Sequence, residues 1–246
     1  GRRGAHKHGV GLGRGGLGAV WRGTHRELGA PGAVKRRAPE ARGDEDAVAR
    51  LTREAQTVAQ LQSPHVVRIY DVGRTADGQP FIVMELLSGQ DLKQRLEATG
   101  PLSLVETAQL VAQPCAALGA AHARGAVHRD VKPANLFLCE GGVGLFVKVL
   151  DFGVAKVLDA NALTLTRTDA IVGTPYYMSP EQFLSAREVD ARTDLWSLGV
   201  VTYAALTRQL PFVAETVGGL SLAVHKGDYT PARELAPHLP PAVDHW

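Results

Sequence analysis

Eight consecutive residues constrain this chain more than any other stretch: His128-Arg129-Asp130-Val131-Lys132-Pro133-Ala134-Asn135. Sixteen residues past Asn135 comes Asp151-Phe152-Gly153, preceded by the largely apolar run Val147-Lys148-Val149-Leu150. A loop would therefore present a carboxylate and an amide, and the end of a following strand would present a second carboxylate. Hard oxygen donors in that small number suit Mg²⁺, which fills the rest of its octahedron with phosphate oxygens and water. Asp-Phe-Gly alone is common, but five fixed residues at fixed spacing followed by it rarely arise by chance.

The second informative stretch is residues 9–18, GVGLGRGGLG, with six glycines in ten. Glycine lets a backbone approach phosphate oxygens closely and turn its N–H groups toward them. A dinucleotide-binding reading needs an apolar strand before the glycines and a helix after them. His6-Lys7-His8-Gly9 makes a poor strand, and Ala19-Val20-Trp21-Arg22 reads as strand, not helix. The register Gly13/Gly15/Gly18 followed by Val20 fits instead a loop laid over nucleotide phosphates. A flexible glycine linker is the alternative reading.

Periodicity places these motifs. Residues 27–32 form a turn and Ala33-Val34-Lys35-Arg36 a second strand, which together predict a hairpin. Ala47, Leu51, Val58 and Leu61 share one stripe of a helix over 44–62, ended by Ser63-Pro64. Glu54 falls on that apolar stripe, where a carboxylate is costly unless it meets a cation. Lys35 is the natural partner, and a boundary glutamate reaching water is the alternative. Val66 to Val72 and Phe81 to Leu87 read as strands. Ser103 with Glu106 forms a capping box ahead of a long helix, in which Pro114 predicts a kink. A further helical region covers 182–207. Strands with one helix followed by a mainly helical body predict two lobes hinged near Glu85 to Gly89.

Composition excludes several classes. Lys+Arg 27 against Asp+Glu 25 leaves +2 over 246 residues, so no polybasic surface for nucleic acid or anionic lipid is implied. Two cysteines without metal-like spacing suit a reduced, cytoplasmic compartment. No apolar run of about 18 residues exists, so no membrane contact is expected within this chain. The start lacks an initiator Met and an apolar signal core, so the chain reads as a piece of something longer.

Taken in order, these motifs resemble the catalytic domain of eukaryotic-like Ser/Thr protein kinases of the kind bacteria carry. Gly173-Thr174-Pro175-Tyr176-Tyr177-Met178-Ser179-Pro180-Glu181 resembles the close of the activation loop, with Ser179 where Ala is usual. Asp194-Leu195-Trp196-Ser197-Leu198-Gly199 resembles a block of the large lobe. The resemblance implies an α+β, two-lobed protein-kinase-like fold. A small antiparallel-sheet lobe with one key helix would occupy 1–87, and a mainly helical lobe 88–246. The last residues fall short of the family's further helices, leaving Glu181 without its usual arginine, so truncation at the C-terminus is expected.

The family also implies roles. Gly13, Arg14, Gly15, Gly16, Leu17 and Gly18 would cover the phosphates of ATP, with Val20, Ala33 and Phe137 around the adenine. Met84 would guard the back of the pocket, the backbone of Glu85 and Leu87 would meet the adenine edge, and Asp91 the ribose. Lys35, fixed by Glu54, would hold phosphates, and Asn135 and Asp151 would hold Mg²⁺, with Mn²⁺ as a substitute. Asp130 would accept the acceptor hydroxyl's proton, assisted by Lys132 and Thr174. Arg129 suggests control by phosphorylation of Thr166 and Thr168, the alternative being that these threonines simply keep a flexible segment soluble. Expected partners are ATP and a protein bearing Ser or Thr, with homodimers serving autophosphorylation and no nucleic acid. The location implied is cytoplasmic, as a free domain or as the cytoplasmic part of a membrane-anchored kinase. Two other readings compete: a catalytically weak kinase-fold binding module, and a small-molecule kinase of the antibiotic-phosphotransferase type.

Overall fold

Small and β-branched residues in Pro31–Arg36 (PGAVKR) make a strand that tolerates burial on both faces, with Gly32, Ala33 and Val34 buried. In the computed structural model this strand, β3, is the centre of a five-stranded antiparallel sheet. The structure describes residues 6–15, 18–25, 29–36, 55–75, 78–141, 144–152, 175–184 and 189–245. The sheet also holds β1 (His6–Gly15), β2 (Gly18–His25), β4 (Ile69–Arg74) and β5 (Pro80–Met84), in the order β1-β2-β3-β5-β4.

The hairpin expected from the turn at 27–32 is formed by β2 and β3. The poor-strand reading of His6–Gly9 is corrected, because β1 runs the whole way from His6 to Gly15 against β2. Its pairing rests on backbone hydrogen bonds, which need no apolar side chain at a sheet edge. The ladder absorbs its glycines as register shifts between His8 and Gly11 and between Gly11 and Gly13.

The strand expected over 66–72 is displaced to Ile69–Arg74. Val66 and Val67 are drawn elsewhere: Val67 N–H donates to Val149 O at 3.0 Å, and Val149 N–H to His65 O at 2.8 Å. Both valines are buried, so this bridge fastens the small sheet to the strand that precedes Asp151. Of the helix expected over 44–62, residues 55–59 are described as helical, and Val58 and Leu61 are buried as the stripe requires.

The strand expected over 81–87 ends at Met84, where the chain crosses to the second half. There β6 (Gly89–Asp91), β7 (Leu136–Cys139) and β8 (Phe146–Val149) form a three-stranded sheet. Helix α1 (Leu92–Thr99) starts on an Asp91 capping box, and α2 (Leu104–His122) on the Ser103–Glu106 box read from sequence. Helix α2 continues past Pro114, which is buried within it. The helical region expected over 182–207 resolves into α3 (Pro180–Leu184) and α4 (Arg192–Thr207), followed by α5 (Val217–Lys226) and α6 (Ala232–Leu235).

The main core joins Leu110, Leu118 and Ala121 of α2 to Leu136 of β7, Val147 of β8 and Val201 of α4, each at most 1% exposed. Glu181 is half-buried, and its charge reaches Arg192 of α4. That guanidinium is held above its ordinary pKa first by hydrogen bonding to Asp190 and least by Glu181. Among the described residues no helix is long and apolar enough to cross a membrane.

Gly89 shows how tightly the crossing is built. Its φ of 136° lies outside the range of L side chains, and a Cβ there would overlap the Leu138 carbonyl oxygen. Gly89→Ala is expected to cost at least about 2 kcal/mol and lower the melting temperature by roughly 5 °C. Calorimetry of the variant checks this, and an unchanged Tm would mean that the crossing relaxes freely.

Candidate active site

Register alone gathers part of the expected nucleotide pocket. Residues directly opposite in an antiparallel pair share a face, as do residues two apart on one strand. Val20 is opposite Lys35, Ala33 is opposite Met84, and Ala33 and Lys35 are two apart. Val20, Ala33, Lys35 and Met84 therefore line one face of the sheet. Gly13 is opposite Val20, Arg14 opposite Ala19, and Gly15 opposite Gly18, which brings the glycine-rich part of β1 alongside the same end of the sheet. From the other half, Phe137 pairs with both Asp91 and Lys148.

The chain crossing beside this face is pinned by a side chain that sequence reasoning used only for its backbone. Glu85 Oε1 accepts from Lys148 Nζ at 2.6 Å and from the Arg68 N–H at 2.8 Å. The Glu85 N–H donates to Arg68 O at 3.0 Å, so the carbonyl is the backbone group Glu85 has left to offer a ligand. Asp91 is also committed, with Oδ1 accepting the Gln94 N–H at 2.8 Å as the α1 cap. Burial raises the Cys139 thiol pKa, Lys148 lowers it and Glu85 raises it, which leaves a neutral neighbour.

The loop 128–135 is held from beneath. Asp194, in the first turn of α4 and fully buried, accepts the His128 N–H at 2.8 Å and the Arg129 N–H at 2.7 Å. It also accepts from His122 Nε2, at the end of α2, at 2.7 Å. Arg129 takes a φ of 64°, a left-handed conformation sparsely used by residues other than glycine. His128 then reaches forward. Its Nδ1 accepts the Asp130 N–H at 3.2 Å, so the ring proton sits on Nε2 and is donated to Leu150 O at 2.7 Å. Its ring lies 4.8 Å from that of buried Phe152.

On this support stand the charged groups. Asp130 Oδ2 lies 2.7 Å from Lys132 Nζ, with the carboxylate 10% exposed. Asn135 Nδ2 donates to Asp130 O at 2.8 Å and Oδ2 at 3.2 Å. That fixes the amide with its Oδ1 as the end to offer a cation. The Leu150 N–H donates to Asn135 O at 2.8 Å, which brings Asp151 beside Asn135. Lys35 Nζ spans from the sheet to Asp151 Oδ2 at 2.6 Å. One carboxylate and one amide oxygen flanked by lysines form a donor set for a hard cation that shares phosphate oxygens, not for an all-protein cage.

Gly16, Leu17, Glu54, Thr166, Thr168 and Thr174 lie outside the described residues, so the expected Lys35–Glu54 pair has Lys35–Asp151 as its described counterpart. Sequence reasoning missed three supports: the Asp194 clamp, the His128 bridge and the Glu85 carboxylate.

Comparison with known proteins places the chain in a family. The protein kinase domain family matches residues 6–228. The serine/threonine-protein kinase Pkn1 of Myxococcus xanthus is 41% identical over 235 residues, covering 95% of this chain and 33% of Pkn1. The serine/threonine-protein kinase PknA of Mycobacterium tuberculosis is 38% identical over 233 residues, covering 93% of this chain and 52% of PknA. The chain thus spans a third to a half of the length of these relatives. The crystal structure of Rad53 residues 1–466 in complex with AMP-PNP matches 98% of this chain and 58% of its own, with a TM-score of 0.79 and 25% identity.

Proposed function

Because the chain belongs to the protein kinase domain family, we propose that it transfers the γ-phosphoryl group of ATP to serine and threonine hydroxyls of protein substrates. The observation that carries this reading is the Asp130 carboxylate, nine-tenths buried and oriented by Lys132 and Asn135 beside the Lys35–Asp151 pair. An acceptor hydroxyl gives its proton to Asp130 as its oxygen bonds to the γ-phosphorus, and the bond to the β-phosphate oxygen breaks. Lys132 stabilises charge on the transferred oxygens, and Lys35 positions the α- and β-phosphates. Asn135 Oδ1 and Asp151 would hold Mg²⁺ or Mn²⁺, which when bound supplies charge neutralisation on the phosphates.

The face lined by Val20, Ala33 and Met84 is the adenine site, with Phe137 from the opposite lobe and the Glu85 carbonyl and Leu87 N–H at its edge. Residues 1–87 form the smaller lobe and 88–246 the larger. Thr166 and Thr168 are the sites of activating autophosphorylation, carried out between two copies of the chain. Within a longer protein this domain would work in the cytoplasm, where ATP is supplied.

The test is incubation with γ-labelled ATP, Mg²⁺ and casein as a general acceptor, beside Asp130→Asn. Label on phosphoserine and phosphothreonine, with a loss of roughly a hundredfold or more in the variant, is the expected result. Mapping should place label on Thr166 or Thr168. A folded chain that binds ATP and transfers nothing would overturn the reading.

A further inference from the structure

The peptide plane between Arg129 and Asp130 is held at both ends by side chains. Its N–H donates to His128 Nδ1 at 3.2 Å. Its carbonyl oxygen accepts from Gln182 Nε2 at 2.9 Å. Gln182 belongs to α3 and stands 53 residues along the chain, where no motif reading assigned it a part. It is 6% exposed, and its amide cannot turn over without loss. Oε1 accepts the Ser179 N–H at 3.1 Å, and a backbone N–H can only donate, so Nε2 is the end that faces Arg129. Ser179 is held in turn by Thr193 of α4, Oγ to Oγ1 at 2.6 Å, with both residues fully buried.

We propose that Gln182 is a positioning residue for the base Asp130, setting the carboxylate's direction through the Arg129 carbonyl. This rests on the phosphotransfer reading above. The left-handed Arg129 is clamped on its N–H by Asp194 and on its carbonyl by Gln182. A peptide plane fixed at oxygen and hydrogen cannot rotate, and the dihedrals on either side of it aim the Asp130 side chain. Because Gln182 sits on α3, the base is in register only when the segment 175–184 is seated against the loop. Ser179, where the resembling family carries Ala, contributes to Gln182 chiefly through its N–H at 3.1 Å, since its hydroxyl lies 3.5 Å from Gln182 Oε1 and 2.6 Å from Thr193 Oγ1 of α4.

The test compares Gln182→Met, which keeps length without donor or acceptor, with Ser179→Ala, which keeps the N–H. Two readouts are taken on the full chain: hydrogen exchange of the Asp130 amide, and kcat with KM for ATP on casein. For Gln182→Met the expected results are about tenfold faster exchange at Asp130 and about tenfold lower kcat, with KM for ATP within twofold. Ser179→Ala should stay within about threefold of the parent in both. Should Gln182→Met fail to fold, Gln182→Asn shortens the reach by one methylene, keeps the amide, and carries the same expectation. Unchanged exchange at Asp130 overturns the proposal, as does a loss shared equally by melting temperature and KM. If the parent transfers no phosphoryl group, the phosphotransfer reading has failed, and exchange at Asp130 still decides whether Gln182 holds the peptide.

Discussion

Asp194→Ala is expected to lower the stability of the chain by about 3–5 kcal/mol and its melting temperature by roughly 10 °C. The carboxylate is fully buried and accepts three donors: the N–H groups of His128 and Arg129, and His122 Nε2. Its removal leaves two backbone donors and an imidazole without their acceptor, each costing about 1–3 kcal/mol. A domain with 5–15 kcal/mol in total can lose most of its margin this way. Asp194→Asn should fall between, at about 1–3 kcal/mol, because one oxygen still accepts while the amide nitrogen faces a donor. Thermal and denaturant unfolding of both variants measures this. An Ala variant as stable as its parent would mean that the loop 128–135 is held by something other than Asp194.

The same residue shows where sequence reading stopped short. Glu54 stands out in the sequence because a carboxylate on an apolar helix stripe must meet a partner. Asp194 satisfies that argument better, with Ser197, Leu198 and Val201 buried at the following three-, four- and seven-residue steps. Two of its three donors, however, are backbone N–H groups of a loop 65 and 66 residues earlier, and no pattern of side chains records them. Lys35, Asp130, Asn135 and Asp151, which the structure brings together, stand out in the sequence because the proposed phosphoryl transfer needs fixed residue types at fixed spacing. Glu85 was legible only as a backbone position, since its carboxylate works through Lys148 across the fold.

Strands were read well where side chains decide them and badly where the backbone does. The polar β1 forms because edge pairing needs only peptide groups. The shift of β4 to Ile69 follows from the tertiary competition of β8 for Val66 and Val67. One predicted helical region became α3 and α4 for a related reason. Hydrophobic periodicity over 182–207 does not show that the α3 amide of Gln182 bonds to Arg129 while a separate helix, α4, begins at Arg192.

Asp151→Asn is expected to reduce phosphoryl transfer by on the order of a thousandfold while nucleotide binding persists. Asparagine is the appropriate substitution, because Asp151 has a φ of 54° and Asn tolerates that left-handed region where Ala does not. The variant keeps an oxygen but loses the charge that pairs with Lys35 Nζ at 2.6 Å and that a hard cation requires. Titration calorimetry with ATP, with and without Mg²⁺, separates the contributions: the parent should bind more tightly with Mg²⁺, and Asp151→Asn should show little difference. Lys35→Met should weaken binding in both conditions, as the proposed contact of its ammonium with phosphate requires. The two side chains touch, so their effects on transfer should be strongly non-additive, with the double variant about as slow as the worse single one. Losses that simply multiply would show that Lys35 and Asp151 act independently, and the ion pair linking the sheet to the Asp151 segment would then have no part in assembling the site.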